Sequence, residues 1–211
     1  MHDATSAPSL RVGIVVLAAG ASSRMGKPKP LLPIEGQPLA VRAARASLEA
    51  KTDCVVFVLG CAADSVAPVL APWPVSILRN DRWNDGIGSS IRCGIQALSQ
   101  FQPLLDGALI TLCDQPGLTS AAIRRLIDAF SGPQGLVAAR YLGAVGAPAI
   151  FGRDYFPELL SLPPDAGAQR VLKKHSDIMV PVDLPDLAVD LDTPDDYRRC
   201  TEKREPPGTF P

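Results

Sequence analysis

Histidine is scarce in this sequence of 211 residues, which contains only His2 and His175. A Ser-His-Asp triad, or a metal site built on histidine, would depend on His175 alone, so both kinds of site are disfavoured. The five cysteines are scattered, and no two of them form a Cys-x-x-Cys pair. Zinc knuckles and thioredoxin-like redox sites are therefore not indicated. Reduced thiols in a cytoplasmic protein are the simplest interpretation.

Neither sign of charge dominates, because the net charge is -1 and no block of basic residues occurs. A protein that binds the backbone of a nucleic acid needs such a block, so we expect no nucleic-acid partner. Long apolar runs are also missing, since no run approaches the roughly 20 residues that cross a bilayer. We therefore expect no membrane partner and a location in the cytoplasm.

What the sequence does contain is an alternation of short apolar runs with amphipathic segments. Strands are predicted at residues 12–17, 55–59, 75–78, 108–112, 135–139 and 178–182. Helices are predicted at residues 38–50, 62–70, 88–99, 119–130, 167–174 and 194–202, with Thr119 and Thr193 as caps of the fourth and the last. This alternation is typical of a three-layer α/β fold, a mostly parallel sheet with helices on both faces. We expect a single domain over residues 1–211, with a core at about 12–203 and flexible tails at 1–10 and 204–211.

The loop after the first predicted strand combines small residues with cations. Small residues at positions 18–23 let backbone N–H groups approach a ligand closely, and Arg24, Lys27 and Lys29 follow. Ligands of an open parallel sheet lie beyond the carboxyl ends of its strands. Arg24 and Lys29 therefore predict a phosphate site, the first as a planar fork and the second as a point charge. A solvated loop with incidental cations is the alternative.

Two common phosphate loops are excluded by their spacing. Five residues separate Gly20 from Gly26, where a Walker loop has four, and Lys27 is followed by Pro28 instead of Ser or Thr. The Gly-x-Gly-x-x-Gly pattern of dinucleotide-binding proteins does not occur either. Neither an NTPase of the Walker class nor a nicotinamide enzyme is supported.

The stretch LAAGASSRMGKPKPLLP at residues 17–33 closely resembles the signature loop of nucleotidyltransferases that attach a nucleoside monophosphate to a phosphorylated acceptor. Blocks at residues 80–95, 110–119 and 189–197 resemble those of the molybdenum cofactor cytidylyltransferases, members of the MobA-like NTP transferase superfamily. The blocks keep the family order over nearly the whole chain. The resemblance therefore implies a Rossmann-like nucleotidyltransferase fold.

The activity that this resemblance implies is transfer of CMP from CTP to the phosphate of molybdopterin, with Mg²⁺ as cofactor and release of pyrophosphate. The resemblance also implies that the protein can dock to a molybdoenzyme. An acceptor phosphate oxygen would attack the α-phosphorus in line, so no protein nucleophile or base is required. Arg24 and Lys29 would be the catalytic residues, because they stabilise charge that grows in the transition state.

Nucleotide contacts are predicted at both ends of the implied site. The predicted nucleotide-binding residues are Leu17, Ala18, Ala19, Gly20, Arg24, Lys29, Asn80, Gly86, Ser89 and Ser90. Around Gly86 and Ser89, capping of a helix is the alternative. Related guanylyltransferases carry two glycines where this chain has Ala18 and Ala19. Two methyl groups shrink the space for a base and favour CTP over GTP.

Carboxylates follow two of the apolar runs. Asp114 lies two residues after the run at 108–112, where it can hold Mg²⁺ beside the predicted phosphate loop or serve only as a turn residue. Asp190 and Asp192 alternate along the chain, so both point to one face of a strand. We predict Asp114 and Asp192 as metal ligands. Asp190 in place of Asp192 remains open, and so does capping by Asp192 of the helix that begins at Pro194.

The sequence departs from the family pattern where acceptor recognition is expected. Relatives carry Arg-Gly-His/Asn-Pro where this chain has VGAP at residues 145–148, and Gly-Asp-x-Gly-Ala-Arg where it has PDAGAQ at 164–169. The positions that still match, Pro148, Asp165 and Gly167, are predicted to contact the acceptor. The lost histidine, and the arginine displaced to Arg170, weaken the case for molybdopterin.

Three functions therefore remain open. The first is a molybdopterin cytidylyltransferase. The second is a nucleotidyltransferase for another phosphorylated acceptor, such as a sugar phosphate. The third is a nucleotide-binding or cofactor-binding module without turnover, which docks on a molybdoenzyme. Release of pyrophosphate separates the first two from the third, and a screen of acceptors separates the first from the second.

Overall fold

A seven-stranded sheet lies at the centre of the fold in the computed structural model, which describes residues 10–22, 25–189, 191 and 193–202. The strands of this sheet are β1 (Val12–Ala18), β4 (Cys54–Leu59), β5 (Ser76–Arg79), β6 (Gly107–Leu112), β7 (Leu136–Tyr141), β8 (Ala144–Gly152) and β9 (Val180–Asp183). Two short strands, β2 (Pro33–Ile34) and β3 (Gln37–Pro38), form a separate hairpin. The helices are α1 (Leu39–Glu49), α2 (Ala63–Leu70), α3 (Ile87–Ser99), α4 (Ser120–Asp128), α5 (Phe156–Leu160), α6 (Gln169–Lys174) and α7 (Pro194–Glu202).

The strand order across the sheet is β5-β4-β1-β6-β8-β7-β9. β1 pairs in parallel with β4 and β6, so that Val15 lies opposite both Val56 and Ile110. Among the strands of this described sheet, only β8 runs antiparallel to its neighbours. Because β1, β4 and β6 are parallel, their carboxyl ends meet at one edge, where an open sheet of this kind binds ligands.

Different helices cover the two faces of the sheet. Ile14 and Val16 of β1 belong to a buried cluster with residues of α1, α2, α4 and α7. Val15 and Leu17 belong to a second buried cluster with residues of α3, α5 and α6. Successive side chains of a strand point to opposite faces, so a strand covered on both sides is apolar at every position, as β1 is. The predicted three-layer, mostly parallel α/β fold is confirmed.

The two predicted helix caps are also present. Thr119 Oγ1 accepts a hydrogen bond of 3.1 Å from the Ala122 N–H at the start of α4. Thr193 Oγ1 accepts one of 3.2 Å from the Asp196 N–H, and the Asp196 carboxylate accepts one of 2.9 Å from the Thr193 N–H. This reciprocal pair is a capping box. Thr193 therefore fills the cap position of α7 that the sequence had left open between Thr193 and Asp192.

β8 is the strand that the sequence did not predict. It contains Gly146, Pro148 and Gly152, residue types that are depleted in strand interiors, so its apolar part gave too short a signal. The structure nevertheless pairs it with β6 on one side and β7 on the other. The short helix α5 and the β2–β3 hairpin were not predicted either, and β9 begins two residues later than predicted.

Two further expectations concern the ends of the chain and the membrane. Apart from Leu10, the predicted tails at 1–10 and 204–211 lie outside the described residues. In the described part of the chain, no helix is long and apolar enough to cross a bilayer.

Candidate active site

A cavity of about 520 Å³ opens at the carboxyl ends of β1 and β6. Its walls come from the loop after β1, from the end of β6 and from the turn before α3. Eight of the predicted site residues line it: Leu17, Ala18, Ala19, Gly20, Lys29, Gly86, Ser90 and Asp114. The structure therefore brings together, around one cavity, residues that are almost 100 positions apart in the chain.

The loop after β1 turns back toward the cavity at Ser22. Ser22 adopts a left-handed backbone with a φ of 52°, its carbonyl accepts the Met25 N–H at 2.9 Å, and its Oγ accepts the Lys29 N–H at 2.9 Å. These bonds fix the backbone of Lys29, whose side chain lines the cavity. Ser23 and Arg24 lie outside the described residues, so the predicted role of Arg24 stays a prediction.

Lys29 and Asp114 form an ion pair on the cavity wall. Lys29 Nζ lies 3.0 Å from Asp114 Oδ2, and both side chains are mostly shielded from solvent. The Leu191 N–H donates to the Asp114 carbonyl at 3.4 Å, which brings the segment after β9 to the end of β6. Asp190 and Asp192, on either side of Leu191, lie outside the described residues.

The donor set of this wall fits a hard divalent cation. No group of three or more His, Cys, Asp or Glu side chains that could hold a metal occurs in the part of the chain that the structure describes. Mg²⁺ does not require one, because it is usually held by one or two carboxylates together with the phosphates of its substrate. Asp114 offers one carboxylate in the same cavity as the phosphate loop.

Cys113 lies next to Asp114 and also lines the cavity. Burial raises the pKa of its thiol far above the usual range, and the negative charge of Asp114 raises it further. The thiol is therefore protonated at neutral pH and is a poor nucleophile.

Asn80 and Ser89 are buried beneath the cavity and do not line it. Asn80 Nδ2 donates to Ser89 Oγ at 2.9 Å and to Ser90 Oγ at 3.0 Å. Ser89 Oγ lies 2.8 Å from the Arg82 carbonyl oxygen and 2.7 Å from that of Gly86, so its one hydroxyl proton is shared between them. These side chains hold the turn before α3 in place, and their predicted contact with a nucleotide stays a prediction.

Gly86 and Gly88 let this turn pack directly against the segment at residues 163–166. The Gly88 N–H donates to the Pro164 carbonyl at 2.8 Å. A Cβ atom at Gly88 would lie 2.1 Å from the Pro163 carbonyl oxygen, and one at Gly86 would lie 2.5 Å from that of Pro164. Gly86 also has a φ of 123°, which favours glycine. The predicted nucleotide and acceptor segments are therefore in contact.

Trp83, Asn84 and Ile87 line the cavity, although the sequence did not predict them. Gly60, at the end of β4, makes room for the tryptophan, because a Cβ there would lie 2.6 Å from the Trp83 Cβ. The sequence offered one indication of the role of Trp83, because it is an aromatic residue in a block, residues 80–95, that is otherwise rich in small and polar residues.

A second cavity, of about 310 Å³, shares Leu17, Ile87 and Leu112 with the first. Gly167, one of the three predicted acceptor residues, lines it. Pro148 is buried and Asp165 is exposed, and neither lines this cavity. Their predicted contact with an acceptor stays a prediction.

Comparison with known proteins identifies the family of this site. A family model described as the MobA-like NTP transferase domain matches residues 14–189. Purine catabolism protein PucB of Bacillus subtilis is 29% identical over 195 residues, which cover 87% of this chain and 92% of PucB. The molybdenum cofactor cytidylyltransferase of Escherichia coli is 21% identical, with 91% of this chain and 96% of that protein covered.

This chain is also similar to a solved mycobacterial structure over nearly its whole length. The crystal structure of Rv0371c from Mycobacterium tuberculosis is 30% identical, with a TM-score of 0.78 and coverage of 92% of this chain and 99% of that one. The same mycobacterial protein has also been crystallised in complex with manganese, and that structure has a TM-score of 0.73 over 91% of this chain and 98% of that one.

Proposed function

Because the chain belongs to the family of MobA-like NTP transferase domains, we propose that it transfers CMP from CTP to the phosphate of an acceptor and releases pyrophosphate. The observation that carries the proposal is the meeting of the β1 loop, Lys29 and Asp114 in one cavity. A loop of small residues, a cation and a carboxylate are the groups that a triphosphate and its metal ion require. Molybdopterin is the acceptor that the resemblance implies, and E. coli molybdenum cofactor cytidylyltransferase is a distant relative.

The residues of the chain act by positioning and by charge. The backbone of the β1 loop holds the triphosphate, and Lys29, with Arg24 as its predicted companion, stabilises negative charge on the phosphates. An oxygen of the acceptor phosphate attacks the α-phosphorus, and the bond to the β-phosphate breaks. No protein nucleophile takes part: the Cys113 thiol is protonated. His175 lies outside both cavities, where its Nε2 pairs with Glu158 at 2.9 Å.

Asp114, together with Asp192 or Asp190, is proposed to hold Mg²⁺. Bound there, the ion would supply positive charge that offsets the negative charge of the phosphates. Support comes from the Asp114 carboxylate in the cavity, from the contact of Leu191 with Asp114, and from the manganese complex of the mycobacterial relative. The location in the cytoplasm also stays a prediction. Its support is that all five cysteines are free thiols in the structure, as is usual for a protein in a reducing compartment.

We expect CTP to be preferred over GTP in a competition assay with equal nucleotide concentrations, Mg²⁺ and a working acceptor. Ala18 and Ala19 line the cavity, and their methyl groups leave less room for a two-ring base than glycines would. Steric exclusion of this kind is worth ~1–3 kcal/mol, so the preference should be tens-fold to about a hundredfold.

Equal or greater incorporation of GMP would contradict this expectation. The double variant Ala18→Gly, Ala19→Gly is the second test, since it should lower the preference for CTP. An unchanged ratio in that variant would move the nucleotide selector to another wall of the cavity, such as the turn at Gly86.

Trp83 is expected to stack on the base of the bound nucleotide. The protein has two tryptophans, and only Trp83 lines the described cavities, whereas Trp73 packs against the core on the α1 face. Titration with CTP should change the tryptophan fluorescence of the wild type and of Trp73→Phe, but not that of Trp83→Phe. Trp83→Ala should weaken CTP binding about tenfold, because stacking of a base on an aromatic ring is worth ~1–3 kcal/mol.

Loss of the fluorescence change in Trp73→Phe, with retention in Trp83→Phe, would show that the base lies elsewhere. Thermal unfolding of both variants serves as the control for folding.

A second acceptor class is favoured by one observation. Val145, Ala147 and Gln169 stand where relatives carry Arg, His/Asn and Arg, and all three line the second cavity. The chain would then be a nucleotidyltransferase for another phosphorylated acceptor. Pyrophosphate release with CTP and a panel of acceptor phosphates distinguishes both transferases from a binding module that docks on a molybdoenzyme without turnover.

A further inference from the structure

The second cavity is walled almost entirely by apolar side chains. Its walls come from β6, β8, α3 and α6, with Ile91, Phe151 and Leu172 among the largest side chains. No charged side chain belongs to this lining in the described part of the chain. Arg170, the displaced arginine, is exposed and does not line it. A ligand that enters this space meets hydrocarbon on most sides.

The two large polar side chains of the lining are bonded to the wall itself. Tyr141 OH donates to the Ala147 carbonyl at 2.9 Å, and Gln169 Nε2 donates to the Val145 carbonyl at 3.3 Å. These donors pair with backbone oxygens of β8, and an unpaired backbone oxygen in an apolar wall is costly. These two bonds leave few polar side-chain groups of the wall for a ligand.

The cavity opens toward the reacting centre. Leu17 and Leu112 belong to the walls of both cavities, and Leu112 is two residues before Asp114. A phosphate held near Asp114 and Lys29 can thus be covalently attached to a body that lies in the second cavity. This position corresponds to the acceptor and not to the nucleotide, because the triphosphate loop lies on the side of the first cavity.

We infer that the acceptor is a phosphomonoester whose organic body is apolar, such as a prenyl or aryl phosphate. The many hydroxyl, amino or carbonyl groups of a sugar or pterin would meet only Tyr141 and Gln169 as polar side chains in this cavity, so most of them would lose water without gaining a partner. The inference rests on the proposed nucleotidyl transfer for the fate of the phosphate. A phosphate oxygen of the acceptor bonds to the α-phosphorus of CTP, the bond to the β-phosphate oxygen breaks, and pyrophosphate carries away the electron pair.

The departures from the family pattern meet in this one place. Val145, Ala147 and Gln169 are distant from one another in sequence by up to 24 residues, yet they line the same cavity. Each replaces a larger polar or charged residue type in the pattern of the relatives. Their joint effect is a consistent change of chemistry on one surface, which an altered acceptor explains and scattered drift does not.

The test compares geranyl phosphate, glucose 1-phosphate and molybdopterin as acceptors with CTP and Mg²⁺, measured by pyrophosphate release. We expect kcat/KM for geranyl phosphate to exceed that for each of the other two at least about tenfold, the discrimination typical of an apolar pocket. Equal or greater kcat/KM with glucose 1-phosphate or with molybdopterin would overturn the inference.

Val145→Thr places a hydroxyl group in the cavity at nearly constant volume. It should lower kcat/KM for geranyl phosphate about tenfold and leave the KM for CTP unchanged. Val180→Thr is the matched control, because Val180 is exposed on β9 and lines neither cavity. An unaltered kcat/KM in Val145→Thr would count against the inference.

Calorimetric binding of geranyl phosphate without CTP separates the two proposals. Binding that Val145→Thr weakens, with no transfer to any acceptor, would support the apolar cavity and overturn the proposed function. Transfer to glucose 1-phosphate without binding of geranyl phosphate would support the function and overturn the apolar acceptor. Neither binding nor transfer would overturn both.

Discussion

Asp114→Asn is expected to lower pyrophosphate release from CTP, in the presence of Mg²⁺ and a working acceptor, about a thousandfold. The carboxylate lies at the end of β6 in the cavity that contains the phosphate loop. Asparagine has nearly the same shape but carries no negative charge, so it binds a divalent cation weakly. Loss of the metal's stabilisation of phosphate charge amounts to ~4 kcal/mol, which corresponds to the expected factor.

The effect should not come from unfolding. Asp114 forms one partly exposed ion pair, with Lys29, and the loss of such a pair costs about 1 kcal/mol or less. Thermal unfolding of Asp114→Asn should therefore remain close to that of the wild type. Asp128→Asn is the matched control, since Asp128 is exposed on α4 and lines neither cavity. Turnover of Asp114→Asn at the wild-type rate would mean that this aspartate is only a turn residue.

The central strands were predictable because their physics is local. β1, β4 and β6 are covered on both faces, so nearly every residue in them is apolar and the runs are visible in the sequence. Their parallel pairing then placed Asp114 and the β1 loop at the same edge. The fold, and the meeting of Asp114 with the β1 loop at one cavity, therefore followed from short apolar runs and from what comes directly after them.

The features of the fold and of the site that the sequence did not predict depend on contacts between distant segments. β8 carries glycine and proline, and only its pairing with β6 and β7 makes it a strand. Asn80 donates hydrogen bonds to Ser89 and Ser90, which hold the turn before α3, a contact that the sequence did not predict. Trp83 reaches the cavity because Gly60, which directly follows β4, leaves room for it. No periodicity within a single segment encodes such relationships.

The second cavity, which we propose to hold the acceptor, also could not be predicted from the sequence. The sequence identified where its pattern differs from that of its relatives, but it did not indicate that the differences share one surface. Val145 and Gln169 become neighbours only where α6 meets β8, and Gln169 Nε2 donates to the Val145 carbonyl at 3.3 Å. The chemistry of the second cavity is thus a property of tertiary structure.

Lys29→Ala is expected to lower kcat about a hundredfold while weakening CTP binding only a few-fold. Its ammonium group lines the cavity beside Asp114, and its backbone is fixed by Ser22. Negative charge on the phosphate oxygens and on the departing pyrophosphate grows during the reaction, so a fixed cation interacts more strongly with the transition state than with bound CTP. Rates from pyrophosphate release, and affinities from Trp83 fluorescence, measure the two effects separately.

Lys27→Ala is the matched control for this variant, because Lys27 lies in the same loop but is exposed and does not line the cavity. Removal of either lysine changes the net charge equally, so a general electrostatic effect on CTP binding would appear in both variants. A fall in kcat confined to Lys29→Ala would therefore come from the position of that ammonium group. If Lys29→Ala instead changed only the KM for CTP, the lysine would contribute uniform binding to ground state and transition state alike. Stabilisation of the growing charge would then rest on the metal ion and on Arg24.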